Sequence, residues 1–373
     1  MSRRPDWLCA LALVLLLAAL VLPVGRDEAG AAYWSGQGPV IIGLAAACVL
    51  AGWAALTRPQ GLAAGLTLAV AVVLGAAGPL ALLGAGLTLE TEAPGLWLVV
   101  VALVCLTWRA LQLLAGTAPN RLVHDVLVPA LFGLWLLYLW EVVVGGFAIP
   151  RVLLPGPSQI GRVIAASADV LAQDFRQTFL KSVLTGFALG SGSGFLVAIL
   201  IDRSPFLQRG LLPLGALVSA IPIVGIAPIM VMWFGFDWQS KVAVIVVMTF
   251  FPMLVNALAG LHAAGDMERD LMRSYAASYW QTLLRLRLPN ALPFIFNALK
   301  INSTLSLIGA IVAEFFGTPI LGMGFRISTE VGRMNIEMVW ATIAVAAVAG
   351  SLFYAVLALG ERALTFWHPS YRQ

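Results

Sequence analysis

Along this chain, apolar runs about twenty residues long follow one another with only short polar intervals between them. Ten are legible, at about 8–24, 40–56, 62–83, 96–114, 126–144, 179–201, 211–234, 242–261, 291–313 and 339–359. Crossing the ~30 Å hydrocarbon layer takes about 20 apolar residues in a helix. Lipid offers backbone N–H and C=O groups no partners, so only helices or closed barrels span it. The runs here are continuously apolar rather than alternating, which selects helices. The pattern predicts an all-α polytopic membrane protein.

The polar intervals supply the organisation. Before residue 120 the spans are rich in Ala, Leu and Gly, and almost no polar residue falls inside them. Gly116-Thr117-Ala118-Pro119-Asn120 reads as a linker. The expected domains are therefore a four-span extension at 1–120 and a six-span core at 121–373. The first run follows Arg3 and Arg4 and precedes Ala29-Gly30-Ala31, as in a signal peptide. Its long apolar core and the nine runs after it point instead to a retained signal-anchor.

Asp266–Pro293 is the longest polar interval of the second half. Met267, Leu271, Met272 and Tyr275 recur there at helical spacing, with Arg269 and Arg273 on other faces. Leu283, Leu284, Leu286 and Leu288 continue an apolar face until Pro289 and Pro293, which are expected to restart the chain into the next span. A short amphipathic helix of this kind suits insertion into a groove on a partner. The alternative is a helix lying on the lipid surface with its arginines at the phosphates.

Composition agrees with the membrane reading. The chain has 373 residues, 61% hydrophobic and 11% charged, and a mean hydropathy of +0.94. Soluble domains carry roughly 25% charged residues. With both termini inside, the inner segments hold more Lys and Arg than Asp and Glu, and the outer segments the reverse, as the positive-inside rule requires. That orientation puts the loop at 264–290 in the cytoplasm.

Several chemistries are excluded. The three lysines, Lys181, Lys241 and Lys300, never follow Gly, so no phosphate-cradling GxxxxGK[ST] loop exists. Cys9, Cys48 and Cys105 fall in separate runs, and His124, His262 and His368 lie far apart. Neither set has metal-ligand or disulfide spacing. No catalytic residue, cofactor or metal site is expected in this chain.

Polar residues inside the spans are the remaining candidates. Asn297, Lys300 and Thr304 share one helical face. Lys300 lies about nine residues from the inner end, so about 13 Å deep. A cation there costs at least ~2.5 kcal/mol unless paired or wetted. It is either a charge beside a translocation path, a structural ion pair, or a side chain snorkelling to the interface. Glu314 closes the same helix on the outer side, where it would gate a path or meet water. Gly186, Gly190 and Gly194 form a groove for close helix approach, read as packing in preference to a pore-lining surface.

The interval at 264–290 also resembles the coupling loop of ABC importer permeases, Glu-Ala-Ala, three residues, Gly, nine residues, then Ile-x-Leu-Pro. Asp270, Leu271 and Met272 stand at the first three places, Ala276 at the Gly place, and Leu286-Arg287-Leu288-Pro289 at the end. The spacing fits throughout, while Asp replaces Glu and Ala replaces Gly. Gly permits a turn with φ > 0 that Ala resists, so the turn here either uses φ < 0 or alters the geometry. LLPGPSQIGRVI at 153–164, NALKINSTLSLIGAIVAEFFG at 297–317 and LGMGFRI at 321–327 are similar to segments of the nitrate/sulfonate/taurine group.

The resemblance covers roughly residues 124–373. It implies a six-span type I importer core, preceded here by four extra helices. It also implies separate cytoplasmic ATPase subunits that bind ATP and Mg, an external solute-binding protein, and a homodimeric or paired permease in a bacterial inner membrane. The coupling residues would be Asp270, Leu271, Met272, Ala276, Leu286, Leu288 and Pro289. The solute would be a small anion such as a sulfonate, taurine or nitrate, with a pyrimidine precursor or riboflavin as the alternative. A self-powered secondary transporter is a third reading, but no acidic residue sits at the centre of a span to bind H⁺ or Na⁺.

Overall fold

The structure, a computed structural model, describes residues 6–27, 30–36, 38, 40–83, 93–116, 123–204, 206–211, 213, 221–317 and 320–367. The expected linker residues 117–120, and Ala29 of the cleavage-like triplet, lie outside them. The chain forms two compact units, residues 1–159 and 160–373. Among the described residues, eight helices are long and apolar enough to cross a membrane. Of the ten expected spans, the one at 8–24 forms the shorter helix Trp7–Val21. The one at 211–234 includes residues 212 and 214–220, which lie outside the described ones, followed by helix Ile223–Phe234.

The first unit contains α1 (Trp7–Val21), a hairpin of β1 (Gly25–Asp27) and β2 (Gly30–Ala32), α2 (Val40–Thr57), α3 (Leu62–Leu83), α4 (Pro94–Gly116) and α5 (Val128–Gly146). The two strands pair antiparallel, Gly25 opposite Ala32. Leu16, Leu44, Leu68, Leu103 and Leu106 fill the core, with small residues such as Ala12, Ala47 and Ala51 between them. Without a hydrophobic drive between helices in lipid, small residues that admit close approach are what permit dispersion contacts to accumulate.

In the second unit, α6 (Pro157–Ala166) leads to α7 (Ala168–Phe175), which passes through a wide turn at Arg176–Val183 into α8 (Leu184–Ile201). Then come α9 (Ile223–Phe234), α10 (Trp238–His262), α11 (Asp266–Ser274), α12 (Tyr279–Thr282), α13 (Leu288–Glu314), α14 (Met323–Gly332) and α15 (Ile336–Leu364). α10 packs between α8 and α13. A Cβ on Gly190 would collide with Thr249 Oγ1, so the glycine row of α8 is there to admit α10. This is the packing reading. Asn302 of α13 completes the junction, its Nδ2 donating to Ser191 Oγ at 2.9 Å and to the Thr249 carbonyl at 2.8 Å.

One expectation fails. Pro289 and Pro293 do not restart the chain, because a single helical segment runs from Tyr279 to Glu314. A proline lacks the N–H and crowds the carbonyl four residues earlier. The turn at Leu283–Arg287 is a π-helix, and this wider turn gives the ring room one turn ahead of Pro289. The loop and the span are consequently one lever rather than two jointed pieces.

Candidate functional site

The candidate site is built around α11. Nine residues are too few for a stable isolated helix, so local devices matter. Asp266 and Glu268 sit in its first turn and Arg273 in its last, each complementing the helix dipole. None of its residues is buried. Met267, Leu271 and Tyr275 are 85%, 56% and 79% exposed, one apolar stripe at i, i+4 and i+8. Asp270 stands beside this stripe, exposed, and accepts from Arg273 Nη1 at 3.1 Å.

The end of α11 decides the question posed by Ala276. Its φ is +52°, so the turn keeps the left-handed conformation that a glycine would adopt more cheaply. The Ala276 N–H donates to the Arg273 carbonyl at 2.8 Å and the Ala277 N–H to the Met272 carbonyl at 3.0 Å. Those two bonds are the pair that defines a Schellman C-cap. For a residue with a Cβ the left-handed state costs roughly 1–2 kcal/mol, and the two capping bonds offset it. Directly afterwards Ser278 and Gln281 form a reciprocal capping box, which starts the next helix. Two caps back to back leave three residues, 275–277, to turn the chain.

This capped corner is fastened to the end of α8. The Asp202 side chain is 1% exposed and accepts from Arg287 Nη1 and Nη2, both at 2.6 Å. Tyr279 donates its hydroxyl to the same carboxylate at 2.9 Å, and His262 Nε2 lies 3.2 Å from it. Arg287 Nε also donates to the Leu261 carbonyl at 2.8 Å, and the Arg203 guanidinium stacks 3.5 Å over the Tyr279 ring. Burial alone would raise the Asp202 carboxyl, but the Arg287 and Tyr279 hydrogen bonds and the Arg287 charge hold it below the usual carboxylate range. α8, α10 and the α12–α13 lever therefore meet on one buried carboxylate.

The remaining expected residues fall into three settings. Leu286, Leu288 and Pro289 are half-buried at the root of the lever, beside the buried trio Leu261, Leu283 and Ala291. Asn297 and Thr304 are exposed along α13, in one stripe with Ile301 and Ile308. Lys300 Nζ pairs with Glu361 of α15 at 2.7 Å, the ion-pair arrangement among its three readings.

Glu314 does not meet water. It is 2% exposed and accepts from Thr178 Oγ1 at 2.8 Å and from the Gly324 N–H at 2.7 Å. Nearby, Asp174 accepts from the Gly322 N–H and from Arg326 Nε, each at 2.8 Å. Lys241 Nζ donates to the carbonyls of Phe236 and Gly317. Buried carboxylates thus tether the start of α14 to α7 and α13.

Sequence reasoning missed Asp202, Tyr279, Asp174 and Thr178 as structural partners. Asp202 is separated from Arg287 by 85 positions, and no periodicity connects them. One available signal was an acidic residue lying just past a span end, where an unpaired charge is costly to bury.

Residues 190–365 match the family described as "Binding-protein-dependent transport system inner membrane component". A formylaminopyrimidine transport permease of Halalkalibacterium halodurans is 33% identical over 65% of this chain and 97% of its own length. A riboflavin transport system permease of Chloroflexus aurantiacus is 28% identical over 63% of this chain and 88% of its own. A taurine transport system permease of Escherichia coli is 29% identical over 62% of this chain and 86% of its own.

Proposed function

This chain belongs to the binding-protein-dependent transport system inner membrane component family, the permeases of ABC importers, and on that premise we propose that α11 is the surface through which a separate ATPase drives it. The observation that carries the reading is an unburied apolar stripe, Met267, Leu271 and Tyr275, on a helix capped at its C-terminal end by the Ala276 corner. In an aqueous compartment such a stripe is costly unless covered, and a helix-in-groove contact covers it. α11 then lies in the cytoplasm with both termini, and the ATPase subunit supplies the ATP and Mg site.

The mechanism follows from the connections. Closure of two ATPase subunits displaces α11 with Asp270, Leu271 and Met272. The Ala276 corner, with its paired capping bonds, passes the displacement on rather than absorbing it. Arg287 and Tyr279 hand it to Asp202 and the end of α8, while Leu286, Leu288 and Pro289 carry it directly into α13. The exposed stripe of Asn297 and Thr304 borders the solute path between two paired permeases, and an external binding protein delivers the solute.

For the solute, two classes compete: a small anion and a vitamin-related heterocycle. Resemblance implied the anion, with which Lys300 is chemically compatible, but the charge of Lys300 is matched by Glu361. The formylaminopyrimidine permease is 33% identical to this chain, against 29% for the taurine permease. Both considerations favour the heterocycle.

Leu271→Asp is the direct test, in the complex co-expressed with its ATPase and binding protein. Placing a charge in a central contact should reduce ATPase co-purification and ATP-driven uptake at least about tenfold, with membrane insertion intact. Unchanged uptake overturns the coupling role. Calorimetric titration of the purified binding protein with a formylaminopyrimidine and with taurine separates the two solute classes.

A further inference from the structure

A cavity of about 430 Å³ lies within the first unit, between α3, α4 and α5. Ala69, Ala76, Ala77 and Ala110 leave space there that Leu134 and Trp135 of α5 do not fill. Its size is that of a small-molecule pocket. Val73, Leu80 and Leu134 line it and are also exposed, so it opens outward. The lining is aliphatic apart from Trp135 and two hydroxyl-bearing residues, Thr107 and Tyr138.

Both hydroxyl oxygens are buried, and neither has a hydrogen-bond partner. Elsewhere Thr57, Thr67, Thr249 and Thr342 each donate to the carbonyl four residues back, a usual outlet for a threonine within a helix. Thr107, although buried, makes no such bond. Thr107 and Tyr138 lie well inside the spans Pro94–Gly116 and Val123–Gly146, where lipid supplies no partner. An unpaired buried hydroxyl is costly, and two of them border this one cavity. What they lack is an acceptor. A carbonyl oxygen accepts without bringing a further donor to be satisfied. Trp135 and Tyr138 stack with ring centroids 4.9 Å apart, and aromatic walls suit a flat ring laid against them. The lining holds no charged side chain, so an ionic guest would enter unpaired.

We propose that this cavity binds a neutral, membrane-dissolved carbonyl compound with a flat apolar ring, the class to which quinones belong, its carbonyl oxygens accepting from Thr107 and Tyr138. Nothing in the proposal depends on α11, so a failure here leaves the coupling reading untouched, and the reverse.

The test uses the full-length chain in phosphatidylcholine nanodiscs, titrated calorimetrically with duroquinone and with durene, and corrected against empty nanodiscs. The two compounds share a methylated ring and differ in the carbonyls, and the methyl groups of duroquinone block its capture by a thiol. Duroquinone should bind the wild type about tenfold more tightly than durene, the value of two neutral hydrogen bonds. Thr107→Val and Tyr138→Phe each remove one hydroxyl with little change of shape. Each should weaken duroquinone binding about fivefold and leave durene binding unchanged. Thr107→Val also removes an orphaned hydroxyl from the empty cavity, so its Tm without ligand should equal or exceed that of the wild type, which separates lost binding from lost fold. Equal affinity for the two compounds, or duroquinone affinity unmoved in both variants, makes the cavity an apolar space for acyl chains and overturns the proposal. Failure of the wild type to bind duroquinone overturns it as well.

Discussion

The two units solve the problem of standing in lipid differently. Unit 1 is cemented by leucine and alanine, and Thr107 is its buried polar residue among those described. Unit 2 buries Asp174, Lys241, Asn302, Glu314 and Glu330 along with many hydroxyls, each held by hydrogen bonds or ion pairs. An apolar core tolerates many arrangements of similar energy, and its contacts weaken gradually as helices shift. A buried charged network has few satisfactory arrangements, because an orphaned member is expensive. It holds discrete positions, and a machine that alternates between positions needs that property. The family match, residues 190–365, falls within the polar unit.

The contrast can be broken most severely at Arg287. Arg287→Ala strands the buried Asp202 carboxylate and should cost about 3–5 kcal/mol, read as a fall in melting temperature together with loss of uptake. The same pair sets a pH dependence. The native Asp202 pKa is depressed, so its stabilisation is complete above the unfolded value near about 4 and is lost as pH falls through the lower native value. Hydrogen exchange across residues 266–287 should accelerate on acidification in the wild type, and Arg287→Ala should abolish that response.

Leu103→Ala is the counterpart in the apolar unit, where the side chain is fully buried. A cost of about 2–5 kcal/mol is expected, with uptake per folded molecule unchanged. A loss of transport equal to that of Arg287→Ala would erase the distinction between the units.

Smaller again is Gly190→Ala, whose Cβ would collide with Thr249, against Gly192→Ala, which meets nothing within 4 Å. The first should cost about 1–3 kcal/mol and the second almost nothing, by thermal unfolding of the purified protein. The smallest effect belongs to Ala276→Gly. Relieving a left-handed alanine should slow hydrogen exchange in α11, a gain of roughly 1 kcal/mol.

Much of the fold was legible because its signals are local. Apolar run length revealed the spans, and the 3.6-residue recurrence of Met267, Leu271 and Tyr275 revealed α11. The spacing from Asp270 to Pro289 carried the resemblance to the importer loop motif. Pro289 misled, since the wide turn that accommodates it leaves no mark in the residues themselves. Lys300 was correctly singled out as a costly cation, but its partner Glu361 sits on another helix, 61 positions away.

By itself the sequence determined the helical class, the run of membrane segments and the place and period of the amphipathic loop helix. Each follows from backbone hydrogen bonding and side-chain spacing within about twenty residues. Only the tertiary structure decided that Ala276 turns left-handed, that Asp202 receives Arg287 and Tyr279, and that Glu314 is sealed from water. The reason is physical: a charge entering a low-dielectric interior must find its counter-charge, and helix packing alone determines which distant residue stands within reach.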